Sequence, residues 1–380
     1  MHIELSERQQ ALRAELRAYF AGLLSPAERA TLLTERHGPL YRDVVRRMGR
    51  DGWLGVGWPT AYGGRGFGPL EQQIFVNEAA RADVPLPAVT LQTVGPTLQA
   101  YGTTEQREFF LPRILRGEAH FAIGYTEPGA GTDLAALRTS AVRVDDGYVV
   151  NGQKTFTTGA HDADYVWLAC RTAPGARRHE GISILIVDTT DPGYSWTPII
   201  TCDGSHHVNA TYYTDVRVPV GMRVGAENAG WRLMTTQLNH ERVMLGPAGR
   251  LAVVHDRVRR WAVQRDLLDR ADVRRVLAQT YADVRVNELL NWQVATDTVR
   301  AADASVTKVF GSQRLQRIGQ ALEELVGRHG DPADPATGEL LAWLDIQVKR
   351  NLVLTFGGGV NEIQREIIAT AGLGLPRVPR

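Results

Sequence analysis

The spacing of apolar residues changes period twice along this chain, and that double change restricts the fold more than any other feature of the sequence. Ser6 followed by Gln9 reads as a capping box, and Leu12, Leu16, Tyr19, Phe20 and Leu23 then recur at helical spacing. A second helical face follows in Tyr41, Val44, Val45 and Met48, with Gly52 placed to end it. From about Phe121 the period becomes two. Val142 and Val144, the turn Asp145-Asp146-Gly147, then Tyr148 and Val150 predict a hairpin. Runs at 165–171, 181–187 and 209–218, rich in β-branched and aromatic residues, extend it into a sheet or small barrel that ends near Gly225. Beyond Trp231 helical spacing returns in Val273, Val276, Leu277, Tyr281 and Val284, and again in Val306, Val309, Phe310, Ile318, Leu322 and Leu325, while 331–335 with its two prolines reads as a loop. Helices, then strands, then helices predict an α+β fold with segregated parts, not a doubly wound sheet. The expected segments are an α-helical domain at 1–119, a β domain at 120–226 and a helix bundle at 227–380.

Bulk properties exclude several classes of function. The 380 residues suffice for two or three structural layers, and no apolar run is long enough to span a bilayer. The first residues have neither a basic nor an apolar leader segment, so the expected location is the cytoplasm, without membrane insertion. A formal net charge of +1, with arginines scattered among acids, offers no field to attract nucleic acid, which leaves a small-molecule ligand as the expectation. Cys170 and Cys202 are too few for a disulfide framework or a four-cysteine zinc site and are expected to be buried, unpaired thiols. His206-His207 lacks further clustered ligands in the sequence, so no metal site is expected. Gly63-Gly64-Arg65-Gly66-Phe67-Gly68 has the composition of a phosphate cradle but is assigned no ligand.

The stretch Gly124-Tyr125-Thr126-Glu127-Pro128-Gly129-Ala130-Gly131-Thr132-Asp133-Leu134 places glycines, hydroxyls and backbone donors at the edge of the β region. A loop of this kind approaches a flat polar ligand closely, although Pro and Gly also make ordinary turns. It lacks the Gly-x-Gly-x-x-Gly spacing that nicotinamide binding would require.

Together with Asn151-Gly152-Gln153-Lys154-Thr155-Phe156-Thr157-Thr158-Gly159, Trp58-Pro59, Tyr62-Gly63-Gly64 and Asn361-Glu362-Ile363-Gln364-Arg365, this stretch resembles the signature segments of the acyl-CoA dehydrogenase family, and the resemblance covers essentially the whole chain. It implies an N-terminal helical domain, a middle β domain and a C-terminal four-helix bundle. It also implies flavin adenine dinucleotide (FAD) as cofactor, an acyl-CoA thioester as substrate, and an electron-transfer flavoprotein or similar acceptor. By the same resemblance Tyr125, Thr126, Gly131 and Thr132 line the flavin and substrate. Phe156 stacks where the family often has tryptophan, and Thr158 bonds near flavin N5. An apolar stacking partner and a few donors are what a reduced, negatively charged flavin requires.

The family base, a glutamate in a Tyr-Glu-Gly-Thr segment, takes the α-proton while hydride leaves the β-carbon. Here that segment reads Gly357-Gly358-Gly359-Val360, so the usual carboxylate is absent. A minority of the family carries the carboxylate on a helix immediately before an arginine, and Glu241-Arg242 stands at that place, which makes Glu241 the candidate base. The chemistry asks only for a carboxylate within reach of the α-carbon, and burial beside an apolar ligand would raise its pKa usefully. The amide of Gly358 remains available to the thioester carbonyl. Arg242 either touches CoA or holds the helix that carries Glu241. The three glycines, Gly357, Gly358 and Gly359, either widen the acyl pocket or relieve crowding at a turn.

Two further departures concern the flavin. The family's Arg-x-x-Phe-Gly stretch, which holds the pyrophosphate, is replaced by Val263-Gln264-Arg265-Asp266-Leu267-Leu268, and a later Gly-Gly turn is replaced around 323–330. The chain therefore resembles half of a flavin site, with the other half expected from a second, different acyl-CoA dehydrogenase subunit in an α2β2 heterotetramer. The combination, with 355–362 and the terminal 375–380, closely resembles subunits of bacterial acyl-CoA dehydrogenases that degrade steroid side chains, and implies a steroid CoA ester with a short branched side chain as substrate. Two other activities remain open on sequence: a non-catalytic scaffold subunit that completes a partner's site, and a flavin-dependent acyl-CoA oxidase.

Overall fold

A computed structural model of the chain describes residues 4–173, 177–244, 246–296 and 300–377, with the side chains of 238–244 and 296 outside the description. The first helices are α1 (Glu7–Leu23), α2 (Pro26–Thr34), α3 (Pro39–Arg50), α4 (Pro69–Arg81), α5 (Gly95–Tyr101) and α6 (Thr104–Leu115). The strands follow: β1 (Phe121–Gly124), β2 (Ser140–Val144), β3 (Gly147–Thr158), β4 (Tyr165–Arg171), β5 (Ile182–Asp188), β6 (Tyr194–Ile200), β7 (His206–Pro219) and β8 (Arg223–Val224). Helices then resume with α7 (Gly230–Met244), α8 (Ala248–Val263), α9 (Ala271–Thr296), α10 (Ala301–His329), α11 (Pro335–Asn351) and α12 (Asn361–Ile367). Among the described residues no helix is long and apolar enough to cross a membrane.

The chain folds as two compact units that do not follow its order: residues 1–24, 68–86 and 242–380 form one, and 25–67 with 87–241 form the other. In the first, α8, α9, α10 and α11 pack as a four-helix bundle, with α4 against α8 and α9 and α1 against α4. The capping box at Ser6 and Gln9 starts α1, whose buried face is Leu12, Leu16, Phe20 and Leu23. Gly249 lets α8 approach α4, because a Cβ there would lie 1.9 Å from the Asn77 carbonyl oxygen.

In the second unit the sheet order is β6-β7-β3-β2-β4-β5-β8, with β1 parallel to β4 off that path. Positions 166–170 of β4 and 182–187 of β5 are all buried, so these strands are covered on both faces, and apart from Ser183 they are apolar there instead of alternating. Tyr148, Val150, Val166, Leu185, Val187 and Val216 belong to the core, and each such side chain removed from water contributes roughly 1.5–3 kcal/mol. β6 was not expected. Among the described residues it pairs only with β7, and it carries Pro198, which an edge strand tolerates because one side of its backbone makes no ladder there.

Three local expectations change. Cys170 is buried but Cys202 is exposed, because the short 201–205 turn lifts it off the sheet. The hairpin turn at Asp145-Asp146 has no left-handed residue, so Gly147 does not serve the turn. A Cβ on Gly147 would lie 2.3 Å from the Val218 carbonyl, and close approach of β7 is what requires glycine. The loop at 331–335 ends one residue early: Asp334 caps α11 and Pro335 begins it, where a missing N–H costs nothing.

Candidate functional site

The loop that leaves β1 is shaped by a buried ion pair. Glu127 and Ala130 exchange backbone hydrogen bonds of 3.0 and 3.1 Å, which closes Pro128-Gly129 into a turn. The fully buried Lys154 of β3 donates to the Glu127 carboxylate at 2.8 Å and to the Tyr125 carbonyl at 3.1 Å. The amides of Arg138 and Thr139 donate to the same carboxylate at 2.7 and 2.8 Å. Burial works against the charge, yet Lys154 and these donors hold the Glu127 carboxyl below its ordinary range. Neither residue was among the expected site residues; opposite charges at fixed places in the two motifs were the available signal. A cavity of about 340 Å³ opens beside this turn, lined in part by Glu127, Gly129, Arg138 and Gln153.

Strand β3 then breaks its pleat at the predicted stacking residue. Lys154 pairs with Thr211 and Thr157 with Asn209, so Thr155 and Phe156 together face one residue of β7. Phe156 sits at φ 57°, a conformation that bulky side chains rarely adopt, and the residue is 63% exposed. The bulge buries Lys154 and Thr157 and leaves Phe156 and Thr158 exposed. An exposed aromatic held in a strained bulge points to a ligand, because the fold gains little from either. The Thr155 amide donates to the Thr126 carbonyl at 2.8 Å, and a Cβ on Gly131 would lie 3.8 Å from the Thr126 methyl. Thr126 and Gly131 are thus brought beside the Thr155-Phe156 bulge, with Thr158 two residues further along β3, and Thr132 lies exposed on the same loop.

Tyr125 is buried, and its hydroxyl donates to Oε1 of Gln237 on α7 while accepting from the Trp167 indole at 3.1 Å. The other sequence-predicted residues belong elsewhere. Gly357, Gly358 and Gly359 lie in the helical unit, where Gly358 and Gly359 have φ of 66° and 89°. Lys308, fully buried on α10, donates to the carbonyl of Gly359 and to Oδ1 of Asn361, both at 2.7 Å, and Gln364 donates to the carbonyl of Gly358 at 3.2 Å. Two of the three glycines therefore serve a left-handed turn. Glu241 and Arg242 fall on α7, and their side chains lie outside the described residues.

His206 and His207 are less isolated than the sequence suggested. The His161 ring stacks on His206 at 4.0 Å, and His37 lies 5.0 Å from His161 and 5.8 Å from His207. Burial and the neighbouring imidazoles push His37 down to about 3. Among the described residues no three His, Cys, Asp or Glu side chains are arranged to hold a metal ion.

Comparison with known proteins places this geometry. The models for the acyl-CoA dehydrogenase N-terminal, middle and C-terminal domains match residues 6–118, 122–215 and 228–373. The chain is 67% identical over 387 residues to acyl-CoA dehydrogenase FadE29 of Mycobacterium tuberculosis, covering 100% of both. Acyl-CoA dehydrogenase FadE26 of the same organism is 48% identical over 402 residues, again covering 100% of both. Among solved structures, a Tcur3481-Tcur3483 steroid ACAD superposes with a TM-score of 0.93 at 48% identity, and a chain of the ChsE4-ChsE5 complex from Mycobacterium tuberculosis with 0.91 at 48% identity, each covering 100% of both chains. With three domain models in sequence order and a 67% identical relative aligned from end to end, this chain is a member of the acyl-CoA dehydrogenase family of FAD-dependent enzymes.

Proposed function

We propose that the chain is a catalytic subunit that removes two hydrogens from a steroid CoA ester with a short branched side chain, assembled with a second, different subunit of the same family. The observation that carries the reading is the β3 bulge, which spends backbone strain to expose Phe156 beside Thr126 and Thr158. Phe156 would stack on the flavin, with Tyr125, Thr126, Gly131, Thr132 and Thr158 around it. FAD, when bound, supplies the acceptor for the hydride. Glu241 takes the α-proton, and the Gly358 amide donates to the thioester carbonyl, where negative charge develops. Arg242 and Gly357 to Gly359 face the CoA ester. Electrons then pass to an electron-transfer flavoprotein or similar carrier.

The unlike partner is supported by Arg265, the cation in the segment where the family holds the pyrophosphate. Its guanidinium is paired with Asp334 and lies 5.1 Å from the Trp261 ring, an arrangement that serves the bundle. The steroid substrate is supported by the steroid ACAD among the similar solved structures.

The test uses the complex copurified with its partner, mixed anaerobically with a short-branched-side-chain steroid CoA ester or with octanoyl-CoA, following flavin bleaching. The steroid ester should react with the higher efficiency, and Glu241→Gln should slow bleaching by about 10² to 10⁴ while flavin stays bound. Normal bleaching in a flavin-loaded Glu241→Gln complex would remove the base from this chain.

A further inference from the structure

Helix α7 carries the proposed base at position 241, and one turn earlier its residue 237 is tied to the strand end from which the glycine-rich loop departs. The Trp167 indole N–H reaches both the Tyr125 hydroxyl and Oε1 of Gln237, each at 3.1 Å, and the Tyr125 hydroxyl donates to the same Oε1. Trp167 and Gln237 are 0% and 1% exposed. Because an indole N–H only donates, the oxygen of the Gln237 amide must be the atom that faces it, so the amide orientation is determined by chemistry. Nε2 is thereby turned away, and among the described residues it meets no acceptor although it is buried.

A buried donor without an acceptor is a net cost to the fold. Leu233 and Met234, both buried, already seat the helix by apolar contact, and a Cβ on Gly230 would lie 2.8 Å from the Ile182 carbonyl, so the start of α7 is close against β5. Apolar contacts allow a helix to slide or turn by fractions of an ångström. Three hydrogen-bonding groups of fixed direction do not. We infer that Tyr125, Trp167 and Gln237 form a positioning device: they set the depth and rotation of α7 against the glycine-rich loop, and through it the place of residue 241 relative to bound substrate. Tyr125 thus acts through its hydroxyl, in addition to the ligand-lining role proposed above.

The inference rests on Glu241 being the base, and its test separates the two. The copurified, flavin-loaded complex is compared with Tyr125→Phe/Gln237→Met, which removes the Tyr125 hydroxyl, its acceptor Oε1 and the stranded Nε2 together and leaves the Trp167 indole N–H without its two acceptors. Its flavin content should be unchanged and its thermal midpoint should fall by only a few degrees, the cost of leaving the Trp167 indole N–H unpaired. Amide exchange at 238–244 should quicken by about tenfold or more while the β4 amides stay protected, as expected for local release of one element. Anaerobic flavin bleaching should slow by about tenfold to a hundredfold with little change in the substrate concentration for half-maximal rate, the signature of misplacement rather than lost binding. Gln237→Glu, which keeps an oxygen facing Tyr125 and Trp167, should recover most of the rate. Unchanged exchange at 238–244, or a rate that falls only in step with thermal midpoint and flavin content, would overturn the positioning role. Should the double variant not assemble, Tyr125→Phe alone, which removes one oxygen, must show the same effects at smaller size or the inference fails. Normal bleaching in Glu241→Gln would remove the base reading, whereas the exchange result judges the tether by itself.

Discussion

At Gly359 the backbone has φ 89°, and a Cβ there would lie 2.5 Å from Nε2 of Gln364, the group that holds the Gly358 carbonyl. Gly357 has no left-handed φ, and its added Cβ would meet only the Val353 carbonyl at 3.6 Å. Gly359→Ala should therefore destabilise the protein by about 1–3 kcal/mol, from left-handed strain and the displaced Gln364, while Gly357→Ala stays within about 0.5 kcal/mol. Urea unfolding of the two variants checks this pair. His37 shows how one titrating group reaches global stability. Its value is 6.5 unfolded and about 3 folded, through burial and the neighbouring His161, His207 and His206, against Asp162. The unfolded chain binds the extra proton between these values, so the contribution is fully present above 6.5 and is lost as pH falls toward 3. His37→Gln should flatten the acid limb of a stability–pH profile in that window by at most about 1.4 kcal/mol per pH unit. An unchanged slope would place the acid sensitivity on other groups.

At the scale of elements, the buried pair of Lys154 and Glu127 joins β3 to the loop after β1. Lys154→Met leaves a buried carboxylate facing only amides and should cost about 3–5 kcal/mol. Lys154→Met/Glu127→Gln removes the stranded charge but keeps one acceptor oxygen where the Arg138 and Thr139 amides used two, so it should regain only part of that loss, and a double-mutant cycle by denaturant unfolding measures the coupling. Regular elements were legible because their signals are local: the capping box of α1 and the buried face of α3 at Tyr41, Val44, Val45 and Met48. In β2 the strand was legible but its buried face was not, since Ala141 is buried and Val142 is exposed. The bulge at Phe156 was not legible. It inserts one residue into a strand without altering composition, so nothing in residue type marks where the pleat breaks and leaves both Phe156 and Thr158 exposed.

For the whole molecule the proposed half-site has a measurable consequence. The chain purified alone should carry well under one flavin per chain, and coexpression with its unlike partner should restore tight binding, read from absorbance against protein concentration. A homo-oligomer with one tightly bound flavin per chain would sink that reading. The order of helices, strands and helices, the two signature segments and the absence of a glutamate before Val360 were determined by sequence alone, since each is a matter of residue identity at short spacing. The composition of the compact units was not, because α1 and α4 belong with helices more than a hundred residues later. Nor were the partners inside the site. Lys154 and Glu127 are 27 residues apart and Gln237 and Tyr125 are 112 apart, and a hydrogen bond across such separations leaves no periodic trace in the chain. Only the folded sheet, with β1 beside β4 and α7 seated near them, brings those donors and acceptors within 3.1 Å of one another and turns residues of ordinary type into a site.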